Sequence, residues 1–157
     1  MAIITSELGG RYQLLDPSYP TYVTFSGVSF PSALHAIYYA VLDDGYSRQM
    51  IPDLDLDELK SMEQQMISRL PEIDMDVLID YLIDIFINKY SNTSAQTELM
   101  QIMDDEDTYY YIDNSGILGK LSEDHEIGLN LVGTITSAIR KYGNSYSSIK
   151  SAIQATL

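Results

Sequence analysis

The sequence predicts a mostly α fold with a small β component, folded as a single compact helical domain over residues 1–157. Three observations carry that prediction. Apolar residues recur at helical spacing through most of the chain beyond Ser32. The β-prone runs are short, Tyr22–Phe25 and Tyr109–Ile112. A chain of 157 residues, 45% of them hydrophobic, is long enough for one apolar core.

The elements follow in order. Residues 1–31 read as turns and short strands, because Pro17, Pro20 and Pro31 interrupt any helix and Ser26-Gly27 supplies a turn. A helix is expected from Ser32, with Leu34, Ile37, Tyr38 and Val41 on one stripe, ending at Asp43-Asp44-Gly45. Asp55 with Glu58 three residues later forms an Asp-led capping box for a helix through Leu59, Met62, Met66 and Leu70. Beyond Pro71, the segment Ile73–Tyr90 carries the widest stripe, Leu78, Tyr81, Leu82, Ile85 and Phe86, and is the expected central helix. Ser94 is placed to cap a helix through Met103, and the acidic loop Asp104–Asp107 precedes the second strand. The stretch from Asp113 to Gly128 reads as loop. A helix from Asn130 should end at Gly143, and Ser145 should cap a last one through Ile149 and Ile153.

The formal charge of −14 argues against direct binding to nucleic acid or to anionic lipid, since both depend on clustered Lys and Arg. A basic protein surface is the macromolecular partner that such a charge suits. Asp76, Asp80 and Asp84 form a row at i, i+4 and i+8, where like charges cost about 0.2–0.5 kcal/mol per pair. A solvated face accounts for the row most simply, and a partner-facing stripe is the alternative. No segment approaches the roughly 20 apolar residues of a membrane span. The opening residues, MAIITSELGGRYQ, lack the basic and apolar regions of a signal peptide, and there is no cysteine; both fit a cytoplasmic setting.

Chemistry-bearing motifs are few. Asp53-Leu54-Asp55-Leu56-Asp57 imitates the start of a calcium loop, but Glu58 and Gln64 stand where glycine and glutamate are needed. Glu123, Asp124, His125 and Glu126 are adjacent loop residues that cannot all converge on one ion. No metal site and no cofactor is therefore expected, and no phosphate-binding glycine loop is present. With only His35 and His125, histidine chemistry has little scope, and a lone His35 at a helix start is more often structural.

Two segments together resemble a known family. The first runs Tyr19-Pro20-Thr21-Tyr22-Val23-Thr24-Phe25-Ser26-Gly27-Val28-Ser29-Phe30-Pro31-Ser32-Ala33-Leu34-His35-Ala36. The second is Gly128-Leu129-Asn130-Leu131-Val132-Gly133, followed by Ile139-Arg140. Their order and separation resemble the NADAR family, N-glycosidases acting on riboflavin-pathway intermediates or on ADP-ribose linked to guanine. The resemblance implies a NADAR fold and a site built from His35, Tyr39, Lys120 and Asn130, with Arg140 in the place of a family arginine. It also implies a nucleotide-derived small molecule as ligand, and an origin such as the bacteriophages, where small divergent relatives occur.

The departures bear on chemistry. Breaking a glycosidic C–N bond builds positive charge on the sugar, which a carboxylate must stabilise. The family's glutamate before the histidine is Leu34 here, the chain has no tryptophan for the pocket, and the expected aspartate aligns near Lys120. The expectation is therefore a degenerate, non-catalytic binding or host-interaction protein. One alternative is an active N-glycosidase with acids relocated to Asp113, Glu123, Asp124 or Glu126 and with Tyr39 or Tyr110 stacking on the base. The other is an acidic decoy acting through Asp76, Asp80 and Asp84.

Overall fold

Most helices form where the apolar spacing requires them, and among the described residues strands are confined to four short runs. The computed structural model describes residues 2–5, 10–42, 45–91, 93–102, 108–122 and 127–157. Within them the order is β1 (Ala2–Thr5), a 3-10 turn (Gly10–Leu15), β2 (Val23–Phe25), β3 (Val28–Phe30), α1 (Ala33–Val41), α2 (Gly45–Met50), α3 (Leu56–Lys60), α4 (Glu63–Arg69), α5 (Met75–Lys89), α6 (Thr93–Ile102), β4 (Thr108–Tyr111), α7 (Leu131–Tyr142) and α8 (Tyr146–Thr156). Contacts divide the chain into two compact units. One is Pro17–Lys89; the other joins Met1–Asp16 to Tyr90–Leu157.

In the first unit β2 and β3 make an antiparallel hairpin with Val23 opposite Phe30 and Phe25 opposite Val28. Ser26 and Gly27 turn the chain with φ of 54° and 79°, the pair of positive angles that matches strand twist in a two-residue turn. Val23 and Phe25 are buried while Thr24 between them is exposed, so the period of two puts one face inward. Helix α5 packs on β2 and on α1. It buries Leu78, Leu82, Ile85 and Phe86 of the expected stripe and also Ile79, Ile83 and Lys89, while Tyr81 is half-buried. The Asp55 capping box forms, with Glu58 N donating to Asp55 Oδ1 at 2.8 Å and Asp55 N to Glu58 Oε1 at 3.2 Å.

Two expectations need correction here. Gly45 opens α2 instead of closing a loop, and Asp43 and Asp44 lie outside the described residues. What holds α2 is tertiary: Arg48 Nε donates to the Tyr39 carbonyl at 3.0 Å, and its guanidinium lies 4.2 Å from the centre of the Tyr39 ring. The helix expected to run through Leu59 to Leu70 breaks at Ser61-Met62. Ser61 Oγ donates to the Glu58 carbonyl and Met62 N bonds back to Leu59 O, a tighter closure that displaces the α-helical ladder.

In the second unit β1 and β4 pair in parallel, Ala2 opposite Thr108 through to Thr5 opposite Tyr111. Helix α7 rests on β4 and α8, and α6 rests on the Gly10–Leu15 turn and on α7. Gly143, with φ of 65°, ends α7 as expected, and Ile149 and Ile153 bury the inner face of α8. Two caps differ from expectation. Helix α6 begins at Thr93, before Ser94, and Ser145 Oγ bonds Ser148 Oγ without reaching a backbone amide. The Asp104–Asp107 loop lies outside the described residues.

Helix α7 approaches β4 so closely that a Cβ on Gly133 would sit 1.7 Å from the Tyr109 carbonyl oxygen and 2.6 Å from Asn130 Nδ2. Backbone cannot yield as a flexible side chain would. Gly133→Ala is expected to cost at least about 3 kcal/mol, lowering the melting temperature by roughly 10 °C. An unchanged melting temperature would show that helix and strand separate easily.

Tyr90 gives a second prediction. Burial pushes its phenol well above the ordinary range; a hydrogen bond with Thr136 opposes this and the charge of Asp16 adds to it. The unfolded chain releases this proton near pH 10, where the folded state still holds it. Stability from Tyr90 is thus fully present below about pH 10 and falls as pH rises beyond. Tyr90→Phe should flatten the alkaline limb of stability against pH; a limb as steep as wild type would sink this.

Candidate functional site

The residues that the family resemblance marks fall on both units. His35 and Tyr39 belong to the first, Lys120 and Asn130 to the second. Each set is built by its own local backbone.

Pro31 keeps the chain extended before Ser32, whose φ of −156° and ψ of 164° suit an N-cap. Ser32 Oγ accepts from His35 N at 3.3 Å, which fixes the first turn of α1 and turns the imidazole back toward the cap. His35 Nε2 then stands 2.9 Å from the Leu54 carbonyl oxygen, and Nδ1 stands 2.6 Å from Ser32 Oγ. A carbonyl can only accept, so Nε2 carries the proton and Nδ1 accepts from the Ser32 hydroxyl. Both ring nitrogens are engaged within the unit, and the residue is only 3% exposed. Leu34 beside it is 5% exposed, and its backbone N–H goes to the Pro17 carbonyl. The position of the family's glutamate is thus a core position in the stripe with Ile37, Tyr38 and Val41.

Tyr39 sits in a ring cluster, 5.0 Å from Phe30 and 6.5 Å from Phe25, with the Arg48 guanidinium over its face. That face already carries a stacked cation.

In the second unit Asn130 stands at the start of α7 with φ of 51° and ψ of 42°. Asparagine tolerates this left-handed conformation better than most residues. Its side chain makes no helix cap. Instead Oδ1 accepts from Tyr111 N at 3.1 Å and Nδ2 donates to the Tyr109 carbonyl at 2.8 Å. One step further, Lys120 N donates to Tyr111 O at 2.7 Å and Asp113 N to Lys120 O at 2.9 Å. The Asn130 amide therefore continues along β4 the parallel bridge that Lys120 makes with Ile112. The Lys120 ammonium lies 5.7 Å from the centre of the Tyr110 ring.

The remaining candidates are locally occupied or outside view. Asp113 Oδ1 accepts from Ser115 N at 2.7 Å, closing a turn. Glu123, Asp124, His125 and Glu126 lie outside the described residues. Arg140 Nη2 reaches the Met100 carbonyl at 3.2 Å. Asp76 and Asp84 are exposed on α5, and Asp80 is half-buried. Among the described residues no three His, Cys, Asp or Glu side chains converge to hold a metal.

Sequence reading missed the partners, not the motif. Ser32 was legible as the helix start, yet its bond to the imidazole was not. The carbonyls of Leu54 and Tyr109 belong to residues whose side chains announce nothing, so no sequence signal could have found them.

No family model and no curated relative matches the chain. Its fold has a solved counterpart in the E. coli protein YbiA, determined by NMR. That structure matches with a TM-score of 0.67 and 12% sequence identity, over 89% of this chain and 83% of that one. YbiA is a NADAR-family member, so the mostly helical architecture with small strands is a NADAR-like fold, as the two motif segments imply.

Proposed function

We propose that residues 1–157 act as one degenerate NADAR-like domain, a cytoplasmic protein that binds without catalysing N-glycoside cleavage. The observation that carries this reading is Leu34. Where the family places a glutamate beside the histidine, this chain has a buried leucine within the apolar stripe of α1. A carboxylate could stabilise the positive sugar of a breaking C–N bond; an isobutyl group cannot. The imidazole next to it is committed to Ser32 and Leu54, so proton transfer would first have to break the anchor of that loop.

Binding has two supports. The surface charge suits a basic protein partner, and the exposed Asp76 and Asp84 with Asp80 place part of it along α5. A nucleotide-derived ligand would be held through Lys120 and Tyr110, a cation beside an aromatic ring, because His35 and Asn130 already serve the backbone.

Purified protein is expected to release no base from ADP-ribosylated guanine or from early riboflavin intermediates. Chromatography of the reaction decides it; release well above a no-protein control would overturn the reading. A paired prediction concerns position 34. Leu34→Glu should cost several kcal/mol, on the order of 3 or more, by burying a carboxylate, without yielding base release. Leu34→Met should cost under about 1.5 kcal/mol. A Glu variant that melts with wild type would show instead that this position faces solvent.

A further inference from the structure

The first unit holds a groove whose lining includes none of the residues that the family resemblance marks. A cavity of about 290 Å³ is lined by Met50, Leu54, Glu58, Ser61, Met62 and Gln65. Its framework is fixed. Leu54 N bonds Ile51 O, Leu54 O receives His35, and the capping box locks Asp55 to Glu58. Its lining is adaptable, because Met50 is 45% exposed and Met62 half-buried, and unbranched thioethers repack around varied shapes.

Size and charge select the occupant. The volume lies just below the roughly 300–1,000 Å³ typical of small-molecule pockets, so it suits one or two apolar side chains better than a cofactor. Asp53, Asp55, Asp57 and Glu58 are all exposed on the stretch that walls it. Between Met50 and Gln65 there are five carboxylates against one lysine, Lys60. A recess lined in part by Met50, Leu54 and Met62, with Glu58 in its wall and further carboxylates on the same stretch, is complementary to an apolar anchor flanked by Lys or Arg, and it repels nucleic acid.

We infer that this groove is a docking site for a basic amphipathic helix of a partner protein, its apolar anchor seated between Met50 and Met62 and its cations facing Asp53, Asp55 and Asp57. The inference deepens the reading of the chain as a binding protein and rests on it. The contact differs from the α5 row in that apolar burial supplies residence time, while the charge supplies encounter rate.

The test uses the full chain carrying isotope-labelled methionine methyls, titrated with a synthetic amphipathic helix of Leu and Lys. The Met50 and Met62 methyls should shift together and saturate, while Met100, exposed in the second unit, stays in place. Met50→Gln, at a half-exposed position, should weaken binding roughly tenfold, as loss of an anchoring contact does. Asp53→Asn with Asp57→Asn should slow association and flatten its dependence on salt. Equal shifts at Met100, or unchanged affinity in Met50→Gln, would overturn the site. A neutral helix of Leu and Gln binding as tightly, or self-association abolished by Met50→Gln, would give the groove a different occupant and overturn the inference equally. Failure here leaves the base-release result standing, and base release would leave these methyl shifts standing, so the two readings fail separately.

Discussion

The side-chain amide of Asn130 stands where a neighbouring strand would otherwise lie, and the second unit is organised around that substitution. Strand β4 pairs with β1 along one edge. Along the other, the Tyr109 carbonyl and Tyr111 amide need partners, and one carboxamide supplies both. Asn130 is only 4% exposed, so leaving those groups unpaired would cost about 1–3 kcal/mol each. The geometry admits few replacements. Aspartate would lose the Nδ2 donor and set an anion against a carbonyl; longer amides would not fit beneath Gly133, whose missing Cβ gives α7 its approach to β4. Helices α6 and α8 rest on α7, so their placement follows from this contact.

His35 has the corresponding part in the first unit. A helix start and a connecting turn nineteen residues on are tied through one ring, by a serine hydroxyl on one side and a carbonyl on the other. A motif of this kind can persist because the backbone requires it, whatever becomes of the reaction. A leucine at position 34 and a histidine beside it are then compatible. Leucine joins a core that is already apolar on its helix, while removing the imidazole would take away the donor that the part-buried Leu54 carbonyl accepts from.

Local signals were the legible ones. Helices α1, α5 and α7, the Ser26-Gly27 turn, the Asp55 box and the Gly143 stop all rest on spacing or dihedral preference within a few residues, and all are found. Most of what escaped depends on distant partners. The polar sequence of α2 has no stripe; Arg48 on Tyr39 holds it. The break at Ser61 is a competition between two hydrogen bonds that apolar spacing cannot register. The pairing of β1 with β4 joins segments about a hundred residues apart, Ala2 with Thr108, and a parallel register leaves no turn to announce it. The candidate site divides the same way. Its residue types were visible as a family pattern, but the Leu54, Tyr109 and Tyr111 main-chain atoms that hold His35 and Asn130 were not.

The acidity of the chain acquires a position through the same structure. Along α5, exposed Asp76 and Asp84 repel each other only weakly in water, and they lie off the stripe of Leu78, Leu82, Ile85 and Phe86 that the helix buries. Such a row can accelerate encounter but gives little to hold a partner once salt screens it. Around Met50 and Met62 the carboxylates border an apolar recess, so desolvation and attraction act on one contact. Charge alone does not discriminate among basic surfaces. A recess of side-chain size does, because a partner lacking the anchor leaves it filled with water and gains only the screened attraction.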